Sequence, residues 1–252
     1  MSQTQPRVGL FATCLVDAIR PNIGLASAAL LEQAGCRVEV PAQSCCGQPA
    51  LNSGDDDTTR AIARQVIDTF LPFDYLVAPS GSCAGTIKHG YAELFADDPE
   101  YRDKHARLAA KTHEILQFLD EVMHFTPRDV CYRGIATYHD TCSGLRELGV
   151  YQQPRNLLAS APDLQMVELA GHDVCCGFGG TFCVKYSDIS DRIVSDKARN
   201  IQASGADTLL GGDLGCLLNM AGKLHRLGSP VRCFHTTEVL ANLAEHPICQ
   251  PE

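Results

Sequence analysis

Cysteines recur along this 252-residue chain at a nearly constant offset, and that register limits the fold more than any other feature. The offset is 128 from Cys14 to Cys142, 130 from Cys45 to Cys175 and 133 from Cys83 to Cys216. The middle position of each set is a vicinal pair followed by glycine, Ser44-Cys45-Cys46-Gly47 and Val174-Cys175-Cys176-Gly177. So small a drift fits loop insertions between two copies of one unit. Neighbouring cysteines bond poorly to each other, because a vicinal disulfide forces the linking peptide away from its usual geometry. Both thiols can nevertheless point at one metal centre. A glycine directly after them lets the backbone approach that centre and offer N–H groups to sulfur.

The segments between the cysteines indicate how they meet. In the first half, residues 7–13 read as a buried strand ending at Cys14, 23–34 as a helix stopped by Gly35, and 36–40 as a strand running to Cys45 and Cys46. A helix over 57–70 and a strand over 74–78 follow, the latter ending at Pro79-Ser80-Gly81-Ser82-Cys83. The second half repeats the order, with strands at 134–138, 164–169 and 207–211, helices at 154–159, 189–203 and 217–227, and a last strand and helix after Val231. The fold class expected is α/β, two tandem β-α-β-α-β halves with parallel sheets flanked by helices. In such sheets the carboxyl ends of the strands share one edge, where ligands bind, so cysteines far apart in sequence can converge. Residues 84–124 read as helical cover. The turn Thr126-Pro127-Arg128-Asp129 places the boundary between an N-terminal half, 1–128, and a C-terminal half, 129–252.

A hydrophobic content of 45% with 20% charged residues is that of a globular protein. The net charge of −9 argues against nucleic acid or an anionic membrane as partner. The apolar run from Val8 to Ala12, after a polar start, is too short for a signal peptide or a membrane span, so a cytoplasmic location is expected. Thirteen cysteines, an odd number, in such a compartment favour metal or redox chemistry over disulfides. No two are spaced C-x-x-C, which excludes zinc ribbons, thioredoxin-type motifs and ferredoxin-type runs.

The spacing of cysteine, CCG pair and cysteine, twice in tandem, resembles the cysteine-rich CCG domain family. That family includes the catalytic subunit of heterodisulfide reductase, the iron–sulfur subunit of glycolate oxidase and the lactate-utilisation proteins. Thr13-Cys14-Leu15-Val16-Asp17, Cys45 to Ala50, Pro79 to Cys83, Cys175 to Phe182 and Gly215-Cys216-Leu217 read most like the lactate-utilisation branch. The resemblance implies [4Fe–4S] clusters, one or two per chain. Their ligands would be Cys14, Cys45, Cys46 and Cys83 in the first half and Cys142, Cys175, Cys176 and Cys216 in the second. It further implies an oxidoreductase subunit that transfers electrons as L-lactate is oxidised to pyruvate. Its partners would be a ferredoxin-like iron–sulfur subunit and a third lactate-utilisation subunit, with the 2-hydroxy acid met indirectly. Heterodisulfide reductase carries a fifth cysteine per site; here Ser80 and Asp213 stand at that position. Four thiolates suffice for a cubane cluster. The alternatives are a thiol/disulfide reductase subunit, or a non-redox protein with zinc at one site.

Cys36, Cys131, Cys233 and Cys249 have no counterpart in the repeat and read as packing or surface thiols. Cys183 falls in the Gly-rich loop near the second site, either as a ligand or as a neighbour. His139-Asp140, just before Cys142, reads as a proton-handling or cluster-tuning pair, or equally as a helix-capping Asp beside a buried His. Lys185 and Arg146 are either carboxylate attractors, cluster donors or solvated surface charges. Gly177-Phe178-Gly179-Gly180 lacks the lysine of a phosphate loop and the dinucleotide fingerprint.

Overall fold

The structure, a computed structural model, describes residues 5–249; the first four residues of the polar N-terminal stretch lie outside them. Among the described residues four strands come from each half: β1 (Arg7–Leu10), β2 (Arg37–Glu39), β3 (Tyr75–Ala78) and β4 (Thr112–Glu114), then β5 (Gly134–His139), β6 (Leu164–Val167), β7 (Thr208–Gly211) and β8 (Arg232–His235). They form two sheets of the same order, β2-β1-β3-β4 and β6-β5-β7-β8. Every pairing is parallel, as helical crossovers between successive strands require. The registers repeat as well: Leu10 pairs with Val77 where Tyr138 pairs with Leu210, the same offsets as the cysteines.

One expectation needs correcting. Residues 84–124 are not helical throughout, because β4 runs through them as the fourth strand of the first sheet. Its three residues, Thr112-His113-Glu114, have no apolar alternation to announce a strand. Tertiary burial holds them there, with Thr112 and Glu114 almost fully enclosed.

Alternation along the strands builds three cores. Val8, Leu10 and Val77 of the first sheet and Ala136, Tyr138, Leu210 and Phe234 of the second face one shared core. Leu76 and Ala78 face the other way, onto Ala63, Val66, Ile67 and Phe70 of the helix Asp56–Phe70. In the second half Leu209 packs on Val194, Ala198 and Ile201 of the helix Ser187–Ala203 and on Leu217 and Met220 of the helix Leu214–Arg226. The helix Pro21–Gln33 crosses to pack on Thr236–Leu240 of the other half. Among the described residues no helix is long and apolar enough to cross a membrane.

Candidate metal centres

At the carboxyl edge of the first sheet, Cys14 opens the helix Cys14–Ile19, whose first turn is capped by Thr13 accepting from Val16 N at 3.4 Å. Cys45 and Cys46 lie in the loop after β2, and Cys83 lies in the helix Gly81–Gly85 after β3. The four sulfurs converge: Cys14 Sγ is 3.7 Å from Cys45 Sγ, and Cys46 Sγ is 3.5 Å from Cys83 Sγ. Gly47 makes the loop possible, because its φ of 82° is left-handed and turns its N–H back to Cys45 Sγ at 3.4 Å.

The second sheet repeats the arrangement. Cys142 opens the helix Cys142–Leu148, Cys175 and Cys176 lie in the loop after β6, and Cys216 lies in the first turn of Leu214–Arg226. Cys142 interacts with Cys175, and Cys176 with Cys216. Gly177, with φ 84°, directs its N–H to Cys175 Sγ at 3.3 Å. All eight expected cysteines are thus brought together as two sets of four.

The profile of the CCG cysteine-rich domain matches residues 8–88 and 136–221, once on each sheet. The chain belongs to this family. It is 44% identical over 235 residues to lactate utilization protein A of Halalkalibacterium halodurans, covering 93% of this chain and 96% of that one. It is 45% identical over 235 residues to lactate utilization protein A of Geobacillus kaustophilus, covering 93% and 98%. Among solved structures a hypothetical protein from Helicobacter pylori shares the fold, with a TM-score of 0.60 at 10% identity; the alignment spans 99% of this chain and half of that one.

Each CCG set already favours one thiolate. Hydrogen bonds from Cys14 and Cys46, aided by the Gly47 N–H, hold Cys45 far below the ordinary thiol range. Cys142 and Cys176, with Gly177, do the same for Cys175. The donors move the other way: Cys14, Cys46, Cys142 and Cys176 are raised by giving their hydrogen to a neighbouring sulfur and then by burial. An all-sulfur set with Cys46, Cys83, Cys176 and Cys216 buried fits a thiophilic group, either an iron–sulfur cluster or a four-thiolate ion.

Sequence reasoning missed the residues that hold the CCG loops. Tyr91 O–H donates to the Cys46 carbonyl at 2.6 Å, and Asn219 Nδ2 donates to the Cys176 carbonyl at 2.9 Å. These two residues are not at equivalent repeat positions, so the register gave no signal for them. Ser80 and Asp213, at the fifth-cysteine positions, bind each other across the halves. Ser80 Oγ donates to Asp213 Oδ2 at 2.7 Å, as does Ser82 Oγ, and Asp213 Oδ1 accepts from Gly215 N at 3.0 Å. Beside this bridge Gly81 meets Gly144, with room for no side chain between the helices that carry Cys83 and Cys142. A cavity of about 220 Å³ opens on the first set, lined also by Phe178, Thr181 and Asp213 of the second half.

The remaining candidates sort plainly. Asp140 caps no helix; it accepts from Nη1 and Nη2 of Arg155, at 3.0 and 2.9 Å, and pairs with His172 Nδ1 at 2.6 Å. His139 is fully buried, and burial drives its pKa down to about 3, leaving the ring neutral. Lys185 donates to Ser53 of the first half and Arg146 to the Asp173 carbonyl. Cys183 Sγ turns to the Gly180 carbonyl at 3.5 Å. Cys36 and Cys233 are buried, and Cys131 and Cys249 are exposed.

Proposed function

We propose that this chain is an iron–sulfur subunit that carries electrons in the oxidation of L-lactate, or a related 2-hydroxy acid, to pyruvate. The observation that carries this reading is the pair of equivalent four-thiol sets, each with a glycine N–H on sulfur, in a chain similar along most of its length to proteins named for lactate utilization. Cys14, Cys45, Cys46 and Cys83 would hold one [4Fe–4S] cluster and Cys142, Cys175, Cys176 and Cys216 the other. A bound cluster supplies one-electron redox chemistry whose potential the protein sets by burial and hydrogen bonds. The oxygens of Ser80 and Asp213 are engaged with one another, which supports four protein ligands per centre and counts against a heterodisulfide-type site.

Taking two electrons and two protons from a hydroxy acid needs a base near the substrate. The carboxylate lining the cavity, Asp213, is instead saturated by hydroxyl and amide donors. The chemistry on lactate is therefore assigned to partner subunits, one ferredoxin-like and one further lactate-utilisation subunit. Exposed Val174, Val184, Tyr186 and Ile189 flank the second CCG loop and give a partner apolar surface beside that centre. All thirteen cysteines are free thiols, which suits the cytoplasm. The division at 128/129 into two CCG halves belongs to the same reading.

One observation favours a second reading. Four thiolates about 2.3 Å from one ion lie about 3.8 Å apart, and the 3.7 and 3.5 Å sulfur contacts of the first set are that close. A structural zinc ion is the alternative there. Iron, zinc and acid-labile sulfide analysis of anaerobically purified protein, with paramagnetic resonance before and after dithionite, separates the two. Iron with matching sulfide and a signal on reduction is expected; zinc without sulfide overturns the electron-transfer reading.

A further inference from the structure

The two sets of sulfurs are alike, but the groups behind them are not. Phe11 and His139 each stand three residues before the first cysteine of their set. Val66 and Lys197 also correspond, since a side chain on Gly47 would meet Thr59 and Ile62 where one on Gly177 would meet Ser190 and Ile193. All four are buried: Phe11 and His139 at 0% exposure, Val66 at 2% and Lys197 at 1%. The first half therefore places hydrocarbon at both positions, and the second places an imidazole and an amine. Neither ring nitrogen of His139 makes a well-aligned hydrogen bond, and the backbone carbonyl near the ring, that of His172, already accepts from Lys197. Its ligating nitrogen and the sulfurs of Cys176 and Cys216 all lie within 4.8 Å of one another. Lys197 Nζ is held under the second CCG loop by the carbonyls of Gly171, at 2.5 Å, and His172, at 3.3 Å.

A buried ring N–H without an acceptor is costly and calls for one. With the His172 carbonyl shared with Lys197, the sulfurs of Cys176 and Cys216 are the other acceptors beside the ring. The geometry points to a division of roles, resting on the electron-carrier reading above: His139 donates its N–H to sulfur of the C-terminal centre and, with Lys197, makes that centre the electron acceptor and the N-terminal centre the donor. Reduction adds negative charge to a centre, and a hydrogen bond and a buried cation stabilise that charge where hydrocarbon does not. In the internal step one electron leaves the reduced N-terminal centre and enters the oxidised C-terminal one. No bond is made or broken, and the proton stays on His139. A one-electron carrier reloads the first centre. The Ser80–Asp213 hydrogen bond joins the segments carrying Cys83 and Cys216, giving the step a short bonded path.

Potentiometric titration followed by paramagnetic resonance tests this on the full chain, with iron and sulfide assayed in each sample. Wild type is expected to show two potentials, the higher lost in Cys176→Ser and the lower in Cys46→Ser. His139→Phe, which copies Phe11, should lower the higher potential by at least about 59 mV, a tenfold change in its reduced-to-oxidised ratio for one electron. The lower potential should not move. His139→Gln, which keeps an N–H, should shift less, and Lys197→Met should shift the same centre in the same direction. A single shared potential, a higher N-terminal potential, or unmoved potentials in fully loaded variants overturns the inference. Loss of C-terminal iron alone in His139→Phe makes His139 a ligand and overturns the donor role, while Lys197→Met still tests the order. Wild type without iron and sulfide is a different result and sinks the electron-carrier reading itself.

Discussion

The fourth strands of the two halves show what the duplicated fold demands and what it leaves free. Glu114 ends β4 and His235 ends β8, and each caps the helix that follows. Glu114 Oε2 accepts from Leu116 N at 2.8 Å and Gln117 N at 3.0 Å, and His235 Nδ1 accepts from Thr237 N at 3.2 Å. Both side chains are buried. Burial pushes Glu114 up to about 8 and His235 down to about 4, so a carboxylic acid and an imidazole both stay neutral near pH 7. The fold requires an uncharged acceptor at this corner, and opposite chemistries meet the requirement.

The largest contrast between the halves should come from their cysteines. Cys46→Ser and Cys176→Ser are each expected to remove one centre and leave the other, so that iron per chain falls by about half and a different resonance signal is lost in each. Equal loss of both signals from either variant would show that the halves load as one unit.

Next come the two neutral caps, with opposite dependence on pH. Glu114 binds its proton more tightly folded than unfolded, so stability falls as pH rises from about 4.5 to about 8; the cost reaches about 4 kcal/mol at pH 8. His235 resists protonation when folded, so stability falls as pH drops from 6.5 towards 4, by about 3 kcal/mol at pH 4. Urea unfolding across that range should show the alkaline loss vanish in Glu114→Gln while the acid loss persists. An unchanged alkaline slope would mean that Glu114 ionises in the folded chain.

These corners also mark what the sequence could show. Strands β1, β3, β5 and β7 and both CCG loops were legible, because apolar runs end at cysteines in a repeated register. β4 was not, since three polar residues gain their burial only from the assembled sheet. Lys197 was hidden for a related reason: it lies among Val194, Ala198 and Ile201 on the inner face of its helix, where a lysine reads as surface until its carbonyl partners are located. Ser80 and Asp213 were legible as missing cysteines, but their hydrogen bond across 133 residues was not.

That hydrogen bond gives the third contrast. Asp213→Ala leaves the buried donors of Ser80 and Gly215, and the half-buried hydroxyl of Ser82, without their carboxylate and should cost about 3 kcal/mol. Ser80→Ala removes one donor and the cap on Cys83 N, leaves Ser82 in place, and should cost about 1 kcal/mol. Iron content should hold in both; a centre emptied by Asp213→Ala would make the carboxylate a ligand and break the count of four thiolates.

The smallest difference lies in the glycines that close the two CCG loops. Both are left-handed, φ 82° at Gly47 and 84° at Gly177, so alanine at either position costs about 1–2 kcal/mol from the backbone alone. Their surroundings differ. A Cβ on Gly47 would meet the Ile62 side chain at 3.4 Å, which can give way, but one on Gly177 would meet the Ser190 carbonyl oxygen at 2.9 Å, fixed in a helix. That carbonyl cannot retreat without disturbing Ser190, whose Oγ donates to Gly177 O at 2.8 Å. Gly177→Ala should therefore be less stable than Gly47→Ala by about 1 kcal/mol in paired thermal melts. Equal melting temperatures would mean that the second loop shifts as freely as the first, and that Ser190 does not clamp it.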